Sequence, residues 1–346
     1  MDTVQKQTAL TTLQPIHSTI SPQSIADFVQ ERYSLESGMV CSYKLRGTND
    51  IYKLSNGEKN YYVRLNRNHM RSEAEISNEL EILTTIGIQS GCVALPVTAN
   101  DHSKYQSAST PEGIRQLVVF EEAIGVTDNK PQPHRLAQAG RTLGKVHNFS
   151  SSLPQYNELP RYDIATCITQ STNIVCDFLH KDPELRRHSL FYQKFSLALK
   201  RELEHLPTDR FSYGLIHGDY LFGNFVYDKQ GKATVYDFDR IGYGWHAFDI
   251  ATYLGHLTSH SNVASPSTLF NTLTEHFLSG YQEEFTISES EREALPVIYL
   301  MRRLHMRALC CLQFIDWSNQ FLNKHNWHRD IRKTKIWAAQ MCGLSL

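Results

Sequence analysis

The chain has 346 residues, 41% of them apolar, and a formal net charge of −1. That length exceeds what one compact core usually holds, so two packed lobes are expected. The near-neutral charge excludes a binder that grips nucleic acid or an anionic membrane through bulk charge. Seven cysteines, scattered and without C-x-x-C pairs, point to reduced thiols rather than a disulfide framework. No signal pattern opens the chain, and no apolar run approaches the roughly 20 residues that span a bilayer. The expectation is a soluble, cytoplasmic protein.

Residues 1–21 are rich in Thr, Gln and Ser and read as a loose tail. Ser21-Pro22 then opens a helix to about Tyr33, with Ser as N-cap and Ile25, Phe28 and Val29 on one face. Runs at 40–46, 50–55 and 60–66 read as strands, separated by Gly47-Thr48-Asn49 and by Asn56-Gly57. Asn-Gly between alternating runs is a hairpin signal, so an antiparallel meander is expected. Residues 73–85 read as a helix carrying Leu80 and Leu83. Residues 92–98 and 115–121 are expected to complete a five-stranded sheet, with the polar stretch between them as a loop.

Past Gly125 the chain turns helical. Residues 133–148 place Leu136, Ala139, Leu143 and Val146 on one stripe. The GRTLGKVH within it is not a phosphate loop. It is one residue short between glycines, lacks Ser or Thr after Lys145, and follows no strand. His147 reads as a buried helix residue. Residues 165–205 read as two helices broken near Lys181-Asp182-Pro183.

The stretch from Gly214 to Ala251 carries the chemistry. A strand leads to His217-Gly218-Asp219, and Asn224 follows. A hairpin over 225–236 turns at Lys229-Gln230-Gly231 and ends at Asp237, with Asp239 beyond. A tight hairpin brings its ends together, so Asn224 and Asp237 are expected to be neighbours. A carboxamide oxygen and a carboxylate are hard ligands suited to Mg²⁺. Asp219, on the preceding loop, is placed to orient a substrate hydroxyl and accept its proton. The D-x-x-x-x-N spacing before a metal-binding Asp is the arrangement of protein kinases. Residues 247–257, 267–285 and 288–319 read as helices, followed by a basic, Trp-bearing tail. His256 and His260 lie one turn apart but lack a third ligand and read as structural, and Met301, Leu304, His305, Ala308 and Cys311 read as a core ladder.

HGDYLFGN, then YDFD and AFDIATYL, resembles the aminoglycoside phosphotransferase and choline kinase superfamily, over about residues 40–317. The resemblance implies a bilobal, protein-kinase-like α+β fold. A nucleotide-binding lobe over 22–124 would hold a five-stranded antiparallel sheet plus a helix, and a mainly helical lobe over 125–346 would hold the catalytic loop. It implies ATP between the lobes, its phosphates under Gly47, Thr48 and Asn49. Arg64 would stand where such kinases place a phosphate-contacting Lys; Arg keeps the charge and adds a two-pronged donor set. Glu79 would pair with Arg64, with Glu75 as rival. Main-chain groups of Glu121, Glu122 and Ala123 would meet the adenine. Asn224 and Asp237 would hold Mg²⁺, and Asp219 would face the acceptor. His217 and Asp249 would brace the loop, while Asp239 would reach metal through water, face the substrate, or cap the loop.

The implied activity is transfer of the γ-phosphoryl group of Mg-ATP to a hydroxyl of an aminoglycoside, another hydroxylated antibiotic, or a metabolite such as homoserine or choline. Family substrates are often cationic, which makes Glu283, Glu284 and Asp316 candidate contacts. A bacterial serine/threonine protein kinase and a nucleotide-binding pseudokinase are the alternatives. Neither nucleic acid nor membrane is an expected partner, and a monomer or homodimer is expected.

Overall fold

The computed structural model describes residues 13–127, 132–261, 263, 265–313 and 321–346. Asp316 and the end of the helix expected over 288–319 lie outside the described residues. The chain divides into two compact units: one runs to Glu73 and resumes over Val97–Glu121, and the other holds Ala74–Pro96 and Glu122–Leu346.

In the first unit, helix α1 (Pro22–Arg32) begins where Ser21 Oγ accepts from Ser24 N at 3.2 Å. It buries Ile25 and Val29 against Tyr52, Leu54, Val63, Leu65, Leu117 and Val119 of one sheet. That sheet comprises β1 (Val40–Arg46), β2 (Asp50–Ser55), β3 (Asn60–Leu65), β4 (Gln106–Thr110) and β5 (Gly113–Glu121), in the order β1-β2-β3-β5-β4. All four pairings are antiparallel. At the β2–β3 turn Asn56 Oδ1 accepts from the backbone of Glu58 and Lys59, at 3.1 and 2.9 Å, which fixes the register.

Two expectations change here. The fourth strand is Gln106–Thr110, inside the presumed loop, and not residues 92–98. Thr110 pairs with Gly113, whose φ of 126° suits only glycine, and this closes a hairpin that no apolar alternation announces. Residues 92–96 go elsewhere: Ala94 N donates to Val235 O at 3.0 Å and Val235 N to Cys92 O at 2.9 Å. Helix α2 (Glu73–Ser90), all but its first residue, belongs to the second unit together with these residues. The end of the presumed loose tail is also tied down. Arg115 Nη1 donates to Ser18 O at 3.1 Å and Tyr52 Oη to Ile20 O at 2.7 Å.

The second unit is mainly helical. Its helices α3 (Pro133–Ser150) and α7 (Pro266–Tyr281) cross closely, with Gly140 against the Phe277 carbonyl and Gly280 against that of Ala137. A Cβ at either glycine would overlap backbone, so the glycines of GRTLGKVH serve helix packing. A π-helical turn (Ala165–Gln170) leads into α4 (Ser171–His180), and α5 (Ser189–Leu203) follows. Strands β6 (Arg161–Tyr162), β7 (Tyr213–Ile216) and β10 (Gly242–Trp245) form a small sheet in the order β6-β10-β7, and β8 (Phe225–Tyr227) pairs with β9 (Ala233–Val235) as a hairpin. Helices α6 (His246–His260) and α8 (Glu289–Gln313) pack together. The expected tail is a helix, α9 (Lys324–Cys342), which buries Trp327 and Trp337 and is capped by Asn323. All seven cysteines are free thiols. Among the described residues no helix is long and apolar enough to cross a membrane.

Candidate active site

The site is assembled where β7 runs out. At its end His217 N and Gly218 N donate to the two carboxylate oxygens of Asp249, at 2.6 and 2.9 Å. Asp249 stands in the first turn of α6, fully buried. His147 Nε2 donates to the same carboxylate at 3.2 Å, and Tyr281 Oη donates to His147 Nδ1 at 2.9 Å. Burial holds the His147 imidazole near pKa 3, so a neutral ring donates to the carboxylate and the contact is not an ion pair. Burial also raises Asp249 to about 6, against the pull of His217 and the two backbone N–H donors. A relay thus runs from α7 through α3 and α6 to the loop backbone.

Gly218 has φ 78°, and a Cβ there would overlap the carbonyl of Arg240, so the loop closes only with glycine. His217 Nδ1 accepts from Asp219 N at 3.3 Å, which places its proton on Nε2, 3.2 Å from Tyr236 O. Its ring lies 4.2 Å from that of Phe238. His217 therefore ties its own loop to the one that carries Asp237.

Asn224 Nδ2 donates to Asp219 O at 3.0 Å, which leaves the carboxamide oxygen as the outward acceptor. The hairpin pairs Phe225 with Val235, and Tyr236 N donates to Asn224 O at 3.1 Å. Asn224 and Asp237 are therefore near neighbours at the hairpin mouth. Asp237 has φ 67°, a conformation that costs a non-glycine residue roughly 1 kcal/mol. Its side chain is exposed, and those of Asn224 and Asp239 are half-buried. One carboxamide oxygen and one carboxylate, with phosphate oxygens and waters, are a donor set that Mg²⁺ accepts.

Asp219 has a charged partner of its own. Its Oδ1 accepts from Arg302 Nη2, on α8, at 2.5 Å. The Arg302 side chain is 9% exposed, and its Nε is buried with no hydrogen-bond partner among the described residues. Arg240 follows on the same loop. Burial works against its charge, but Asp239, Asp219 and Asp237 outweigh it and keep the guanidinium protonated. No local pattern in the sequence points to Arg302, whose contact spans 83 residues. The only hint was a run of arginines, Arg302, Arg303 and Arg307, beside an apolar ladder.

The remaining candidates disperse. His256 and His260 stack at 4.2 Å, and among the described residues no three His, Cys, Asp or Glu side chains group as a metal site. Glu283 is held by Arg141 Nη2 at 2.5 Å, and Glu284 lies 3.9 Å from Lys145. In the first unit Arg64 is buried on β3, its guanidinium 5.2 Å from the Phe120 ring centre. Gly47 N donates to Asn49 O at 2.9 Å, closing the turn through Thr48, and Asn49 Oδ1 accepts from Arg67 N at 3.1 Å. Glu121 ends β5, exposed, while Glu122 and Ala123 open the second unit's longer segment. On α2 Glu79 is fully buried and Glu75 half-buried.

The family model described as "Phosphotransferase enzyme family" matches residues 45–293. An uncharacterized protein of Synechocystis sp. is 28% identical over 287 residues, 82% of this chain and 76% of that one. The amicoumacin kinase of Bacillus subtilis is 25% identical over 261 residues, 74% of this chain and 75% of that one. The solved amicoumacin kinase hAmiN, in complex with AMP-PNP, Ca²⁺ and Ami, superposes with a TM-score of 0.72 at 18% identity, covering 92% of this chain and 93% of that one. The match of the fold, taken with the family's span across both units, makes this chain a member of the phosphotransferase enzyme family, a small-molecule phosphotransferase with a protein-kinase-like fold.

Proposed function

We propose that the chain moves the γ-phosphoryl group of Mg-ATP to a hydroxyl of a small molecule. The observation that carries this reading is the hairpin mouth: Asn224 and Asp237 as neighbours, with Asp219 bonded to Asn224 through its carbonyl and its carboxylate paired with Arg302. The nucleotide and divalent cation in the hAmiN structure support the same reading.

Asn224 Oδ1 and the Asp237 carboxylate would hold the cation, which neutralises charge on the phosphates when bound. Arg64 and the backbone of the turn over Gly47, Thr48 and Asn49 would meet phosphate oxygens, and main-chain groups of Glu121, Glu122 and Ala123 the base. Asp219 aligns the acceptor hydroxyl. As the acceptor oxygen bonds to the γ-phosphorus, the bridging oxygen–phosphorus bond breaks and its electron pair leaves with ADP. The hydroxyl proton passes to Asp219. The transition state is loose, so Asp219 acts through alignment and charge more than through full deprotonation. His217 and Asp249 keep the loop in register.

The test is a coupled ADP-release assay against aminoglycosides, other hydroxylated antibiotics, homoserine, choline and a generic protein substrate. ADP release that rises with one of the small hydroxyl compounds is the expected result. Stimulation by the protein substrate alone would overturn the reading.

A further inference from the structure

We infer that the acceptor is a short hydroxyl compound that carries a carboxylate, a hydroxy acid or hydroxy amino acid, and that Arg302 is the side chain that reads that carboxylate. This rests on the phosphotransfer reading above and narrows its substrate.

Three arginines lie near one another on α8. Arg303 and Arg307 share a carboxylate of α9: Asp330 Oδ1 accepts from them at 2.6 and 3.2 Å. Arg302 has no such structural partner. Its ion pair is with Asp219, the carboxylate assigned to the acceptor hydroxyl. A buried guanidinium is a costly group to leave with unmade hydrogen bonds, yet Arg302 Nε has none among the described residues. A planar fork of donors that is buried, charged and incompletely bonded matches a carboxylate, which takes two parallel bonds from it.

The surroundings agree. Arg240 adds a second guanidinium whose charge is felt at Asp219. His305 and His256 feel Arg302 as well, and burial keeps them neutral, at pKa values of about 3 and about 4. A cationic acceptor would meet guanidinium here. Of the acids that the sequence offered to such a cation, Glu283 and Glu284 face Arg141 and Lys145 instead. Because Arg302 touches Asp219, the carboxylate and hydroxyl of the acceptor must stand on adjacent or nearly adjacent carbons. An acceptor carboxylate that draws Arg302 toward itself also loosens its hold on Asp219, so recognition and activation are coupled.

The experiment uses matched acceptors that differ by one carboxylate: L-serine against ethanolamine, L-homoserine against 3-aminopropanol, and glycerate against ethylene glycol. Radiolabelled γ-phosphate transfer by the full chain gives kcat/KM for each member, and calorimetry gives Mg-ATP affinity. At least one carboxylated member is expected to exceed its partner about tenfold or more, and Arg302→Gln is expected to erase that ratio mainly through acceptor KM. Arg302→Lys, which keeps the charge without the fork, is expected to retain part of the ratio; it also decides the matter if Arg302→Gln does not fold. Partners turned over equally, a ratio untouched by both variants, or Mg-ATP bound with no carboxylated member phosphorylated would each overturn the proposal. Failure to bind Mg-ATP at all would instead overturn the phosphotransfer reading beneath it.

Discussion

Two carboxylates on adjoining loops are set apart by what each already touches. Asp219 has Arg302 on one oxygen, while Asp237 is exposed beside Asn224 at a positive φ. On our reading Asp219→Ala keeps Mg-ATP affinity and loses turnover by about 10²–10⁴-fold, the usual worth of an acid–base group. For Asp237 the informative change is Asp237→Asn. Asn tolerates the left-handed conformation, so the backbone is kept while the charge goes. Its Mg-ATP affinity is expected to collapse in a calorimetric titration while its melting temperature holds, and normal affinity would remove Asp237 from the metal role. This pair was legible in the sequence, because spacing and a Gly231 turn alone bring the ends of a hairpin together. Arg302 was not legible, because nothing local on α8 says which loop its guanidinium meets.

Elements were legible where their own chemistry declared them, and hidden where tertiary contacts decided. Ser21 and Pro22 announce α1, and Asn56-Gly57 announces the β2–β3 turn. Strand β4 is polar and has no fully buried residue, so no alternation marks it. Strand β10 contains Gly242 and Gly244 and reads as a loop until β7 and β6 flank it. Helix α9 is dense in Lys and Arg, which masked the seam bearing Trp327 and Trp337. His147 was legible as buried, but its bond to Asp249 links elements 102 residues apart. That bond gives the element-scale prediction. His147→Leu leaves a buried carboxylate oxygen of Asp249 and the Tyr281 hydroxyl short of one partner each. The expected loss is about 2–5 kcal/mol in urea denaturation, by the usual cost of orphaned buried polar groups. A loss under about 0.5 kcal/mol would mean that the relay holds nothing.

At the scale of the whole molecule, the buried histidines of the second unit set its response to acid. Burial holds His147, His246 and His305 near pKa 3 and His256 near 4, against an ordinary 6.5. Below pH 6.5 the unfolded chain takes up protons at these positions and the folded chain does not, so stability falls as pH drops from 6.5 toward about 4. Asp249 works the other way. Its folded value of about 6 exceeds the ordinary 3.8, so over that window the folded state keeps a proton that the unfolded state has lost. It offsets one histidine of the four, and the net slope keeps the histidines' sign. All four tryptophans follow Glu122 in the sequence, and the three described ones, Trp245, Trp327 and Trp337, belong to this unit, so tryptophan fluorescence reports on it. The urea midpoint by fluorescence is expected to climb from pH 4 to pH 6.5 and then level. His305→Gln, which can keep a bond to Ser171, is expected to flatten that climb by one proton, about 1.4 kcal/mol per pH unit. A flat profile in the parent chain, or the same slope in the variant, would show that these imidazoles are protonated in the folded state after all.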